Sequence, residues 1–292
     1  MLTGPRWLAL ICATLALVAT PVLAQVGAPL PQSRLLGADW SIRSPKGLDR
    51  AYYFGGDNHT LSHGPGMDEL ERYIDPSYCA APDPVRAKPG GGFTITVRVA
   101  TPDERAMCSL KGRERFVSGL LTTQHTFSAA YGYWEIRASL PNATRTWPAV
   151  WLLPSNRAGP GGGATPEIDI LEAYAGVMHG GAFMHPWSHD RTGRPISAIH
   201  LQGVDKPLSC GETVSVKAGT WHTYGVLWEP SKLTFYVDEI ATCVEAVSIS
   251  DPHYLIINLA MDGRDLTPGP TSPAQYPATF AVDWVLHRPL RP

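Results

Sequence analysis

Runs of like charge are missing from this chain. Asp, Glu, Lys and Arg make up 17% of its 292 residues, the formal charge is −2, and Lys and Arg nowhere cluster. A nucleic-acid groove or an anionic membrane surface would call for such a cluster, so both are poor partners. Cysteine is scarce, with five residues and no Cys-x-x-Cys pair, which argues against a zinc site. Beyond the N-terminus no stretch is long and apolar enough to cross a bilayer. Helical periodicity is scarce as well, so the chain must build its core from other elements.

The N-terminus stands apart. Arg6 precedes an apolar run, WLALICATLALVA, and VLA before Gln25 has the small residues of a cleavage site. Residues 1–24 therefore read as a secretory signal peptide, with an uncleaved anchor as the alternative. Residues 25–292 then form one domain, released outside the cytoplasm or into the periplasm. Cys12 leaves with the signal; Cys79, Cys108, Cys210 and Cys243 remain. An even count in a secreted chain predicts two disulfides, for which the sequence-local pairs 79–108 and 210–243 are favoured among three connectivities.

What the chain has in quantity is short strand-like runs between its 28 Gly and 27 Pro. The clearest span 92–100, 115–124, 131–140, 148–154, 167–174, 222–229, 232–239, 254–261 and 279–287. EPSK between the runs at 222–229 and 232–239 reads as a hairpin turn. Many strands without intervening helices predict an all-β antiparallel sandwich, a jelly roll of two sheets. The glycine-rich NRAGPGGGATP lacks the Lys-Ser/Thr of a phosphate-binding loop and reads as a plain loop.

That loop runs into PEIDILEAY, where Glu167, Asp169 and Glu172 stand among apolar residues. A solvated strand face or a structural calcium site is the simplest reading. Ile168, Ile170 and Leu171, however, predict a central strand with one face in the core. Strict alternation places 167 and 169 on one face and 172 on the other. One extra residue, a β-bulge between 169 and 172, returns Glu172 to the acidic face. The end Cα atoms then lie roughly 13 Å apart at about 3.3 Å per residue, and inward-leaning side chains close toward the ~5–5.5 Å of a retaining glycosidase pair. Acids this close titrate together, and repulsion raises the proton affinity of at least one. A protonated acid near neutral pH is what cleaving a glycosidic bond needs. Asn258, polar within the apolar IINLAM, asks for a partner: a substrate hydroxyl or a buried backbone group.

The motif Glu-x-Asp-x-x-Glu, with ELERYIDP, YGYWEIRASLP, WPAVWLLP, HTYGVLWEPSKLTFYVD, HYLIINLAMDG and AVDWV in the same order, resembles glycoside hydrolase family 16 over most of the chain. The resemblance implies a β-jelly roll with a sugar-binding cleft on the concave sheet. It further implies Glu167 as nucleophile, Glu172 as acid/base and Asp169 as the residue that tunes the nucleophile. Trp147 falls where relatives pack a Trp against the sugar, though a Trp is more often core. Trp151 suits either role, and His185 matches a cleft histidine or a structural one. No cofactor or catalytic metal is expected; some relatives carry a structural calcium, whose ligands the sequence does not pick out.

The spacing belongs to the laminarinase, agarase and carrageenase side of the family. With no basic cluster for sulfate, a neutral β-1,3- or mixed β-1,3/1,4-glucan is the expected partner, cut internally by a monomer. A transglycosylase, a β-galactan hydrolase and a non-catalytic glucan-binding jelly roll are the alternatives. A polysaccharide lyase would need a base and charge-neutralising groups, and this strand offers only acids.

Overall fold

The structure, a computed structural model, describes residues 26–46, 48–50, 69–77, 79–110, 114–155, 166–175, 182–183, 196–201, 204–207, 216–263 and 273–292. The signal segment, His185 and Cys210 lie outside these residues. The principal strands are β1 (Phe93–Val99), β2 (Leu120–Thr122), β3 (Gly132–Ser139), β4 (Thr146–Pro154), β5 (Glu167–Glu172) and β6 (Ile196–Leu201). They continue with β7 (Val204–Pro207), β8 (Trp221–Glu229), β9 (Lys232–Val237), β10 (Ile240–Glu245), β11 (His253–Met261) and β12 (Ala278–Arg288).

Two sheets face each other, as the strand pattern predicts. One runs β10-β9-β8-β3-β12-β1 and ends on the short strands Phe116–Ser118 and Glu71–Tyr73. The other runs β7-β6-β5-β4-β11-β2 and ends on Asp49–Arg50. Pairing is antiparallel throughout both, apart from the parallel contact of Glu71–Tyr73 with Phe116–Ser118. The predicted hairpin is present: Glu229 pairs with Lys232 across the turn from β8 to β9.

Alternation decides which side chains meet between the sheets. Ile95, Trp134, Ile136, Val226 and Trp228 from one sheet pack on Val150, Leu152, Ile168, Leu255 and Ile257 from the other. All are buried, and each large side chain so removed from water contributes on the order of 1.5–3 kcal/mol. Trp228 keeps its indole N–H satisfied by donating to the Ile249 carbonyl at 3.1 Å.

The predicted strand over 115–124 is interrupted at Gly119. Phe116–Ser118 belongs to one sheet and β2 to the other, so the chain crosses between the sheets at this residue. A Cβ here would stand 2.6 Å from Val85 Cγ2 and 3.2 Å from Ile95 Cγ2, which is why the crossing needs glycine. The chain also forms a helix, α1 (Pro102–Met107), whose six residues are too few to show a helical period. Its Thr101 and Glu104 form a reciprocal capping box. Cys79 and Cys108 are joined, as expected, with Cα atoms 5.2 Å apart. Cys243 is also disulfide-bonded, and Cys210, its expected partner, lies outside the described residues. Among the described residues no helix is long and apolar enough to cross a membrane.

Replacing Gly119 with Ala should push Val85 and Ile95 out of place beside the crossing and cost about 1–3 kcal/mol. Thermal unfolding should show the midpoint falling by several degrees, at roughly 2–4 °C per kcal/mol for a domain this large. An unchanged midpoint would show that Val85 and Ile95 give way there at no cost.

Candidate active site

Strand β5 is central, lying between β4 and β6. Its register carries the predicted bulge. Against β4, Glu172 pairs with Ala149, Leu171 with Val150, then Asp169 with Trp151, so Ile170 is the extra residue. Against β6, Asp169 pairs with Ala198 and Glu172 with Ile196, three steps on one strand against two on the other.

The physical reason lies in the apolar residues. Ile170 and Leu171 are consecutive and both buried in the core between the sheets, which strict alternation forbids. The bulge admits both and turns Glu172 outward. Without it Glu172 would point among the core aliphatics, where an unpaired charge costs several kcal/mol. Asp169 is 2% exposed and Glu172 6%, while Glu167 at the strand's start is half-buried.

The outer face of β4 supplies the acids' surroundings. Trp147, Ala149 and Trp151 alternate along it, and Ala149 separates the two indoles in the row that holds Glu172 and Asn258. The indoles donate in opposite directions. Trp147 Nε1 reaches Glu172 Oε1 at 2.9 Å, and Trp151 Nε1 reaches Asn258 Oδ1 at 2.8 Å. Trp147 is buried, whereas Trp151 keeps part of its surface open. Both belong to an apolar cluster on this face with Leu153, Tyr254 and Ile256.

Asn258 has side-chain partners on both sides, since its Nδ2 donates to the Tyr73 hydroxyl at 3.0 Å. Glu71, two residues before Tyr73 on the same strand, accepts the Met261 N–H at 2.6 Å and lies near Glu69. Burial, then repulsion from Glu69, raises the Glu71 carboxyl well above the usual carboxylate range. Burial likewise pushes the Tyr73 phenol up, with the charges of Glu69 and Glu71 adding to it. The start of β5 is held from another side: His253 Nε2 lies 3.0 Å from the Pro166 carbonyl and Nδ1 lies 2.7 Å from that of Asp251. Burial lowers the pKa of His253 below that of an ordinary histidine.

The structure thus gathers Glu167, Asp169, Glu172, Trp147, Trp151 and Asn258 on one face. The sequence reading singled out none of Glu69, Glu71, Tyr73 or His253. The alternating acids of ELERY, in a segment otherwise buried, were the available signal. Among the described residues no group of three or more His, Cys, Asp or Glu is arranged to hold a metal ion.

The raised Glu71 fixes a sign for the pH dependence of stability. A carboxyl whose folded value is raised stabilises the fold below its unfolded value, and that contribution is lost as pH rises through the folded value. Glu71→Gln keeps an acceptor and removes the charge. Its unfolding midpoint relative to the parent chain should therefore increase steadily as pH rises above about 4.5, the range where an unfolded Glu ionises. A difference that stays constant with pH would contradict the raised value.

The model of Glycosyl hydrolases family 16 matches residues 92–247. The chain is 32% identical over 205 residues to the endo-1,3-1,4-β-glycanase ExsH of Rhizobium meliloti, covering 68% of this chain and 39% of that protein. It is 30% identical over 246 residues to a β-glucanase of Rhodothermus marinus, covering 76% of this chain and 75% of the relative. The chain thus spans well under half of ExsH but most of the β-glucanase. Its fold matches the crystal structure of SCLam, a non-specific endo-β-1,3(4)-glucanase, with a TM-score of 0.65 over 92% of this chain and 96% of the other at 24% identity. On these matches the chain belongs to glycosyl hydrolase family 16.

Proposed function

We propose that this protein is a secreted, endo-acting, retaining glycoside hydrolase that cuts β-1,3- or mixed β-1,3/1,4-glucans. The observation that carries this reading is the bulge at Ile170, which sets Glu172 on the face of Glu167 and Asp169. In the proposed reaction Glu167 attacks the anomeric carbon while Glu172 gives its proton to the departing glycosidic oxygen, leaving a glycosyl ester on Glu167. Glu172, now a carboxylate, takes a proton from water, whose oxygen attacks the same carbon and frees Glu167. Asp169, between them on the strand, orients the nucleophile. The Trp147 N–H binds one oxygen of Glu172 and so orients the carboxyl that transfers the proton.

The choice of substrate draws on the relatives, described as an endo-1,3-1,4-β-glycanase and a β-glucanase. A neutral glucan also fits a chain without clustered cations and a face with two indoles. The Cys79–Cys108 disulfide supports an oxidising compartment, in keeping with the proposed signal at residues 1–24. The reaction needs no cofactor, and one chain holds all its parts.

Purified protein, offered laminarin, mixed-linkage glucan, agarose and carrageenan, should cleave one or both glucans internally. Proton NMR of the early products should show the β-anomer first. Glu167→Gln should lower the rate by several orders of magnitude while leaving the unfolding midpoint nearly in place. Activity confined to agarose or carrageenan would overturn the substrate; an initial α-anomer, or near-normal turnover by Glu167→Gln, would overturn the mechanism.

A further inference from the structure

The half-open indole of Trp151 is the end of a directed chain of hydrogen bonds. An indole N–H donates and never accepts, so the Asn258 atom facing it must be the carbonyl oxygen. That fixes the amide the other way round toward Tyr73, with Nδ2 donating to the phenol oxygen. Tyr73 accepts there, and the Glu71 carboxyl stands near enough to act on the phenol's charge. Glu71 in turn is tied to the backbone of β11 by the Met261 N–H. One donor-only group therefore sets the direction of the two links that meet at Asn258. The Asn258–Tyr73 and Met261–Glu71 links join segments 185 and 190 residues apart in sequence.

The position of Trp151 gives this chain a use. Its backbone pairs with Asp169, one step along from the row of Glu172, and its ring adjoins the apolar cluster of the outer face. Its N–H is bound to Asn258, and the residue keeps part of its surface exposed. A partly exposed indole without such an anchor would lose rotamer freedom whenever a sugar packed on it, and that loss would subtract from affinity.

We propose that Tyr73 and Asn258 are positioning residues for Trp151, holding its ring beside Asp169 as the surface on which a neutral pyranose of the substrate packs. Asn258 then serves the sugar through Trp151 and not by a hydrogen bond of its own. The sugar half of this proposal rests on the glucan reading above; the holding of the indole does not.

The test is a double-mutant cycle in the Glu167→Gln protein, so that bound sugar is not cut. Calorimetry with laminaritetraose reads affinity, and nitrogen-15 NMR reads exchange of the Trp151 indole proton, identified by its loss in Trp151→Phe. Tyr73→Phe should weaken binding about 5- to 10-fold, the range of one net hydrogen bond, and speed indole exchange about tenfold or more. In the Trp151→Phe chain, which has no N–H to hold, Tyr73→Phe should change binding by less than about twofold.

Equal weakening in both backgrounds would overturn the proposal, as would faster exchange with unchanged affinity. Should Tyr73→Phe not fold, Asn258→Asp makes the same break with an isosteric side chain, keeping the acceptor for Trp151 and removing the donor to Tyr73. If no glucan oligosaccharide binds the Glu167→Gln protein, the substrate reading fails, and unchanged indole exchange in Tyr73→Phe then separately overturns the positioning role.

Discussion

A single extra residue in a buried strand governs the arrangement of this site. Ile170 and Leu171 both reach the core between the sheets, and a strand can place two neighbours on one side only by bulging. The apolar pair supplies the driving force and the acid that follows receives the consequence. Burial of the two side chains, at on the order of 1.5–3 kcal/mol each, outweighs the ladder hydrogen bond disturbed at the bulge, which is worth about 1 kcal/mol net. Glu172 is thereby delivered to the face of Glu167 and Asp169, and no loop or cofactor is required to bring the three together.

Around these acids the sheet is built so that each polar edge has a defined direction. The two indoles of β4 share a face and differ in role through their donors: one bonds an acid of β5, the other the amide of β11. Ala149 between them is the small residue that leaves space in the row of Glu172 and Asn258. Behind Asn258 stands a second pair of acids, half-buried Glu69 and buried Glu71, separate from the bulged strand. The face thus combines an apolar surface suited to pyranose rings with carboxyls held where water is scarce, a combination in which electrostatic effects are strong.

Much of this was legible in the sequence because it is local. Period-two alternation gave the strands, and the mismatch between that period and the spacing of Glu167, Asp169 and Glu172 gave the bulge. Cys79 and Cys108, 29 residues apart, were a short enough loop to pair by proximity. What could not be read depends on partners far along the chain. Tyr73 meets Asn258 only after the sheets assemble, and His253 reaches Pro166 across 87 residues, so neither carries a mark in its own neighbourhood. Asn258 shows the intermediate case. A polar residue in an apolar strand needs a partner, expected as a substrate hydroxyl or a backbone group. The partners are instead the side chains of Trp151 and Tyr73, 107 and 185 residues away in sequence.

The central claim is that the bulge presents Glu167 and Glu172 to one sugar from the same face of β5. A crystal structure of the protein trapped with a 2-fluoro β-glucan oligosaccharide carrying a good leaving group tests it most directly. The account predicts an ester bond from Glu167 to the anomeric carbon, with the Glu172 carboxyl on the same face of the sheet beside the vacated leaving-group position. An ester on Asp169 or Glu172, or a Glu172 side chain turned toward the core between the sheets, would contradict it.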